Sequence, residues 1–65
     1  MFALPYRIIA RSGGVLVDES QTGSACTAAN WAAALLDEEG NEVVVFCDGA
    51  PVADLAEFIA RHASA

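Results

Sequence analysis

The sequence contains no lysine, a single histidine and only three arginines, Arg7, Arg11 and Arg61, all near its two ends. That scarcity argues against a surface that grips DNA, RNA or anionic lipid, because such a surface sets several cations against phosphates. The two cysteines, Cys26 and Cys47, are far apart and form no CxxC pair, so the usual ligand spacing of a zinc site is missing. They read as small, packed free thiols in a reducing compartment, a disulfide being the alternative for a secreted chain. No apolar run approaches the ~20 residues that a membrane helix needs. The opening Met1-Phe2-Ala3-Leu4-Pro5-Tyr6-Arg7 has no basic leader and no long apolar stretch. A cytoplasmic chain that begins at its own Met1 is therefore expected.

Catalytic motifs are missing as well. Gly13-Gly14 is too short for a phosphate loop, and no lysine follows it. His62 lies beside an apolar stripe near the C-terminus, where packing or capping a helix explains it better than catalysis. Cys26 could sit in the first turn of a helix, where the dipole lowers a thiol's pKa, but filling space is the preferred reading. Cys47, at the end of a strand, reads as core. Cys26, Cys47, His62 and Asp48 lack metal-ligand spacing, so no catalytic residue, metal or cofactor is expected.

What is present is one short domain, residues 1–65, 55% hydrophobic and strongly acidic, with nine carboxylates and a formal net charge of −6. Disorder would need low hydrophobicity together with high charge, and the first condition fails. All nine acids lie in residues 12–60, a stretch without any base.

Periodicity then gives the elements. Residues 4–11 alternate with period two, and the Ser12-Gly13-Gly14 turn returns the chain into a second strand over 15–19. Residues 24–39 follow helical spacing, with Thr22 or Ser24 as N-cap and Gly40 just past the end. Ala25, Ala28, Ala32, Leu35 and Leu36 share one face, with Trp31 at its edge as either a packing residue or a partner contact. The β-branched run over 42–47 is a third strand. Asp48-Gly49-Ala50 turns, and Pro51 opens a last helix to about His62. Val52, Leu55 and Ile59 line that helix's inner side with Phe58 beside them, and Glu57 and Arg61 form an i,i+4 pair.

The fold class is thus α+β: a two-layer ββαβα domain with a three-stranded sheet in the order 2-1-3 and both helices on one face. The other face would carry Ile9, Leu16, Val44 and Phe46. Either the register hides some of these, or that face is a contact surface for a second copy. A monomer is expected, with a homodimer as the alternative.

The acids fall into two groups. Asp18, Glu19, Asp48 and Asp54 are expected near the start of both helices, where the dipole favours negative charge, so structure and function explain them equally well. Asp37, Glu38 and Glu39 crowd the last turn of the first helix, with Glu42 just beyond. There the same dipole opposes them and they repel one another, a cost that Arg11 and Arg61 could relieve in part. A solvated charge run is the ordinary explanation, yet local stability alone would not select three consecutive acids there. The candidate partner-binding residues are Asp37, Glu38, Glu39 and Glu42, with Asp18 and Glu19, facing a basic surface that normally holds nucleic acid.

Length, acidity, the ββαβα order and the run from Phe2-Ala3-Leu4-Pro5-Tyr6-Arg7 to the closing Ala-rich helix resemble small phage-encoded anti-CRISPR proteins. The similarity is to inhibitors of type I systems, type I-C in particular. These proteins share no short motif, so no residue role is carried over. The resemblance implies a non-catalytic inhibitor in the cytoplasm of an infected bacterium. Such an inhibitor docks on a Cas effector complex and blocks its target DNA, without touching nucleic acid or membrane itself. The alternative is a small structural or regulatory module that assembles through its apolar sheet face.

Overall fold

Two glycines in sequence make the first turn. In the computed structural model, which describes residues 4–63, Gly13 and Gly14 both take positive φ, 59° and 84°. This geometry fits a two-residue turn whose twist matches the flanking strands. It joins β1 (Tyr6–Ser12) to β2 (Val15–Thr22) as the expected antiparallel hairpin. A register shift between Ala10 and Arg11 leaves Val17 as an extra residue on β2, a bulge of the kind that marks edge strands. Met1–Ala3, which carry part of the expectation about the chain's start, lie outside the described residues.

Ser24 caps helix α1 (Ala25–Leu36), its side chain accepting from the Thr27 backbone N–H at 3.2 Å. Strand β3 (Asn41–Cys47) then pairs antiparallel with β1, on the side opposite β2. The order β2-β1-β3 of the first three strands is the expected one.

A fourth strand was not foreseen. Asp48 and Gly49 both have positive φ, 51° and 85°, and fold the chain back on β3 as a second tight hairpin. Pro51 therefore does not begin a helix. It lies in the two-residue strand β4 (Ala50–Pro51), opposite Phe46 at the sheet edge, where its missing N–H costs nothing. Helix α2 (Leu55–His62) starts later, capped by Asp54, whose carboxylate accepts from the Glu57 N–H at 3.0 Å. The architecture is α+β, with a four-stranded antiparallel sheet in the order β2-β1-β3-β4 and two helices.

The core is small and made largely of alanine. Ile8 and Val45 are its largest fully buried side chains, against Ala28 and Ala32. Tyr6, Leu35, Val43, Val52, Leu55, Phe58 and Ile59 pack around them, which puts both helices on the Ile8 face of the sheet. Alanines at 28, 29 and 32 let α1 lie close to the strands, and a larger side chain at any of them would hold the layers apart.

Helix α1 also ends sooner than its periodicity suggests. Its last helical residue is Leu36, with Asp37 as C-cap, and Glu38, Glu39 and Gly40 form the turn into β3. Asn41 explains the early stop. Its side-chain amide donates to the Leu35 carbonyl at 2.9 Å, occupying one of the acceptors that a helix leaves open at its end. The same residue pairs with Ser12 on β1. The chain must therefore leave the helix in time for Asn41 to reach both partners.

Candidate functional site

The six candidate acids do not form one patch. Asp37, Glu38 and Glu39 are exposed in and around the α1–β3 turn. Because Asn41 pairs with Ser12, this turn lies at the same end of the sheet as the β1–β2 hairpin. Glu42 follows on β3 across from Arg11. On β2, Asp18 pairs with Ala10 and Glu19 with Ile9, so strand alternation turns these neighbours to opposite faces.

The expectation that Asp18 and Glu19 stand near the helix N-termini is not met. They lie midway along β2, and the first turn of α1 holds no acid. The bulge and a longer β2, running to Thr22, carry them away from that end. Asp54 does meet it, as the α2 cap.

Charge compensation is sparse. Among the described residues two ion pairs form, Arg7 with Glu19 at 3.1 Å and Arg61 with Glu57 at 3.0 Å, both at exposed side chains. Glu19 is thus the one candidate acid with a cationic partner. Exposed pairs of this kind contribute about 0.2–1 kcal/mol. Asp37, Glu38, Glu39, Glu42 and Asp18 have no ion-pair partner among the described residues, and the last turn of α1 contains no base. Glu38 is steadied by a neutral group instead, accepting from the Asn41 amide at 3.2 Å. Asn41 is the residue that sequence reasoning passed over. Its signal was an amide just after the glycine that ends a helix.

Two large apolar side chains of α1 are exposed. Trp31 is 41% exposed and Leu36 44% exposed. Leu36 was expected on the inner face of α1, and Trp31 at its edge as either a packing residue or a partner contact. Leu36 instead stays outside because the helix ends there, and Trp31 lies outside the core cluster. Leu36 borders the acids, and Trp31, earlier on the same helix, is a residue type that often anchors interfaces.

The other candidates for chemistry stay apart. Cys26 is exposed on α1, where Asn30 donates to its sulfur at 3.5 Å, so it does not fill space in the core. Cys47 is half-buried, 4.0 Å from an Asp48 carboxylate oxygen, and a free thiol like Cys26. His62 packs on Phe58 with ring centroids 4.8 Å apart, and Phe58 on Tyr6 at 5.9 Å. A cleft of about 370 Å³ is lined by Leu4, Arg7, Phe46 and Asp48, and one of about 220 Å³ by Phe58 and His62. Neither brings His62 together with a thiol. No group of three or more His, Cys, Asp or Glu among the described residues is arranged to hold a metal ion. Nor is any described helix long and apolar enough to cross a membrane.

The titration of Tyr6 is perturbed. Burial raises the Tyr6 phenol above its usual value of 10.0, and Cys47 and Asp48 push the same way. Above pH 10 the unfolded chain loses this proton before the folded one does. The Tyr6 contribution to stability is therefore complete below pH 10 and declines as pH rises past it. Tyr6 is the only tyrosine, so phenolate absorbance near 295 nm reports it alone. A midpoint above that of the urea-unfolded chain is expected, and coincident midpoints would show the ring to be solvated.

No protein-family model matches this chain, and no curated protein or solved structure matches it at a significant level, so its residues and geometry carry the functional reading.

Proposed function

We propose that the chain is a non-catalytic acidic inhibitor. It docks on a basic, nucleic-acid-binding surface of a bacterial protein complex and keeps the nucleic acid away. The observation that carries this reading is the uncompensated acid cluster at the end of α1. Asp37, Glu38, Glu39 and Glu42 stand exposed without a cationic partner among the described residues, at the helix end whose dipole disfavours them. A site that costs local stability and yet gathers charge suits a task outside the fold.

The physics of such a task is direct. A duplex-binding groove presents lysines and arginines to phosphates. A rigid acidic body reaches that groove by electrostatic steering and displaces the same counterions that DNA would. Trp31 and Leu36 then supply the apolar contact that charge alone lacks. The resemblance to type I anti-CRISPR proteins makes a Cas effector complex in the cytoplasm of an infected host the first partner to test. There the protein would compete with target DNA at the surface that receives it.

The test is competition. Purified chain is titrated into a type I-C effector loaded with labelled target duplex, and release is followed as salt is raised. Release at low salt that weakens steeply with ionic strength is expected. No release at a large molar excess would remove the proposal.

A second reading has its own support, the exposed apolar side chains Leu16, Val17 and Val44 on the sheet. In it the chain is a small structural or regulatory module whose open sheet face is a contact surface.

A further inference from the structure

We infer that the open face of the sheet binds a second copy of this chain, across a two-fold axis lying parallel to the strands between β1 and β3. The inference rests on the second reading above, that this face is a contact surface, and shares only Glu42 with the acid cluster of the first.

The strands are patterned for cover on both sides. An antiparallel sheet with helices on one face ordinarily alternates apolar and polar residues. Here β1 contains Ile8-Ile9-Ala10 and β3 contains Val43-Val44-Val45-Phe46 without interruption. Ile8 and Val45 lie in the core under the helices. Ile9, Val44 and Phe46 therefore point the other way. Neighbouring side chains already cover Ile9 to 8% exposure and half-bury Phe46, as the register was expected to do for some of them, and Val44 remains 37% exposed.

Charge is distributed to allow self-association. The strand residues of the open face include Arg7, Arg11, Glu19 and Glu42, two of each sign. The other seven acids and Arg61 sit in turns, helices and the opposite side of β2, so the whole net charge of −6 lies off this face. Two copies of a strongly acidic body repel one another through most orientations. This face is where they meet with the least of that penalty.

The register supplies the complementarity. Arg11 lies opposite Glu42, Ile9 opposite Val44, and Arg7 opposite Phe46. A two-fold axis between these strands keeps each rung at its level and exchanges the strands. It sets Arg11 over the second copy's Glu42, Ile9 over its Val44, and Arg7 over the ring of its Phe46, each contact occurring twice. Arg11 and Glu42 form no ion pair within the described monomer, so both are free to make one across the interface. Arginine over an aromatic face is favourable in the same way.

Size sets the strength. Three full strands at a spacing of about 4.8 Å and about seven residues at 3.4 Å give a footprint of roughly 340 Å² per copy, to which the two residues of β4 add little; that is the size of a weak, transient association. A weak dimer with a dissociation constant on the order of 100 µM is expected.

Sedimentation of the full chain tests this over concentrations from about 5 µM to about 1 mM. The mass should rise from 6.7 kDa towards twice that value. Val44→Glu and Arg11→Glu should each hold the chain monomeric, and Arg11→Glu combined with Glu42→Arg should restore the dimer, with circular dichroism showing every variant folded. A chain that stays at 6.7 kDa throughout overturns the inference, as do variants that dimerise undiminished. A monomer that captures another protein and loses it on Val44→Glu also overturns the second copy, while leaving the contact-face reading intact.

Discussion

Replacing Ile8 by alanine is expected to lower the melting temperature by on the order of 10–30 °C. Ile8 is 1% exposed and, with Val45, is one of the two largest side chains that the fold buries fully. Removing it deletes the apolar contact and leaves a cavity between β1 and α1, a change that costs about 2–5 kcal/mol. A domain of this length has only about 3–10 kcal/mol to lose. Ala28 and Ala32, which face it in the core cluster, are too short to fill the gap. Thermal melts followed by circular dichroism measure the effect. A shift of only a few degrees would mean that stability resides elsewhere, in the outer ring of Tyr6, Phe58 and Leu55.

Reversing the acids at the end of α1 should abolish partner capture without harming the fold. In the variant Asp37→Lys, Glu38→Lys and Glu39→Lys, cations replace anions at the negative end of a helix. That change favours the helix by about 0.3–1 kcal/mol per well-placed residue. Stability should therefore hold or rise. Binding should fall by about 100-fold or more at low salt, because steering and the charged contacts are lost together. Adding Glu42→Lys should deepen the loss while costing some stability, since it sets a lysine across from Arg11. The opposed signs of the two effects separate a functional site from a structural one. A triple variant that melts higher yet displaces DNA as well as the original would end the case for this cluster.

Much of the fold was legible because the signals were local. Gly13-Gly14 between two alternating runs specifies a tight hairpin, and Ser24 before an alanine-rich helical pattern specifies a cap. The order β2-β1-β3 followed as the simplest sheet once a helical crossover set the second and third strands parallel with the first between them. The Asp48-Gly49 hairpin was also within reach, since that dipeptide favours the turn it adopts. Pro51 obscured it, because proline suits a helix's first turn and an edge strand equally well.

The candidate site was legible in part. A run of three acids at a helix end was visible, and so was its conflict with the dipole. Its geometry was not. Asn41 ends α1 early through a contact to the Leu35 carbonyl, and that contact exists only once β3 has docked beside Ser12. Asp18 and Glu19 were separated by strand alternation and shifted by the bulge at Val17, which no local propensity announces.

By itself, then, the sequence determined the sign and excess of charge, the kinds of element and the close packing of an alanine-faced helix. These depend on residue identity and on spacing within a few positions. The tertiary structure decided which acids remain without a cationic partner, where α1 stops, and that the open face is electrically neutral. Each of those depends on which strand lies beside which, and a chain's neighbours in space are fixed only when the layers close.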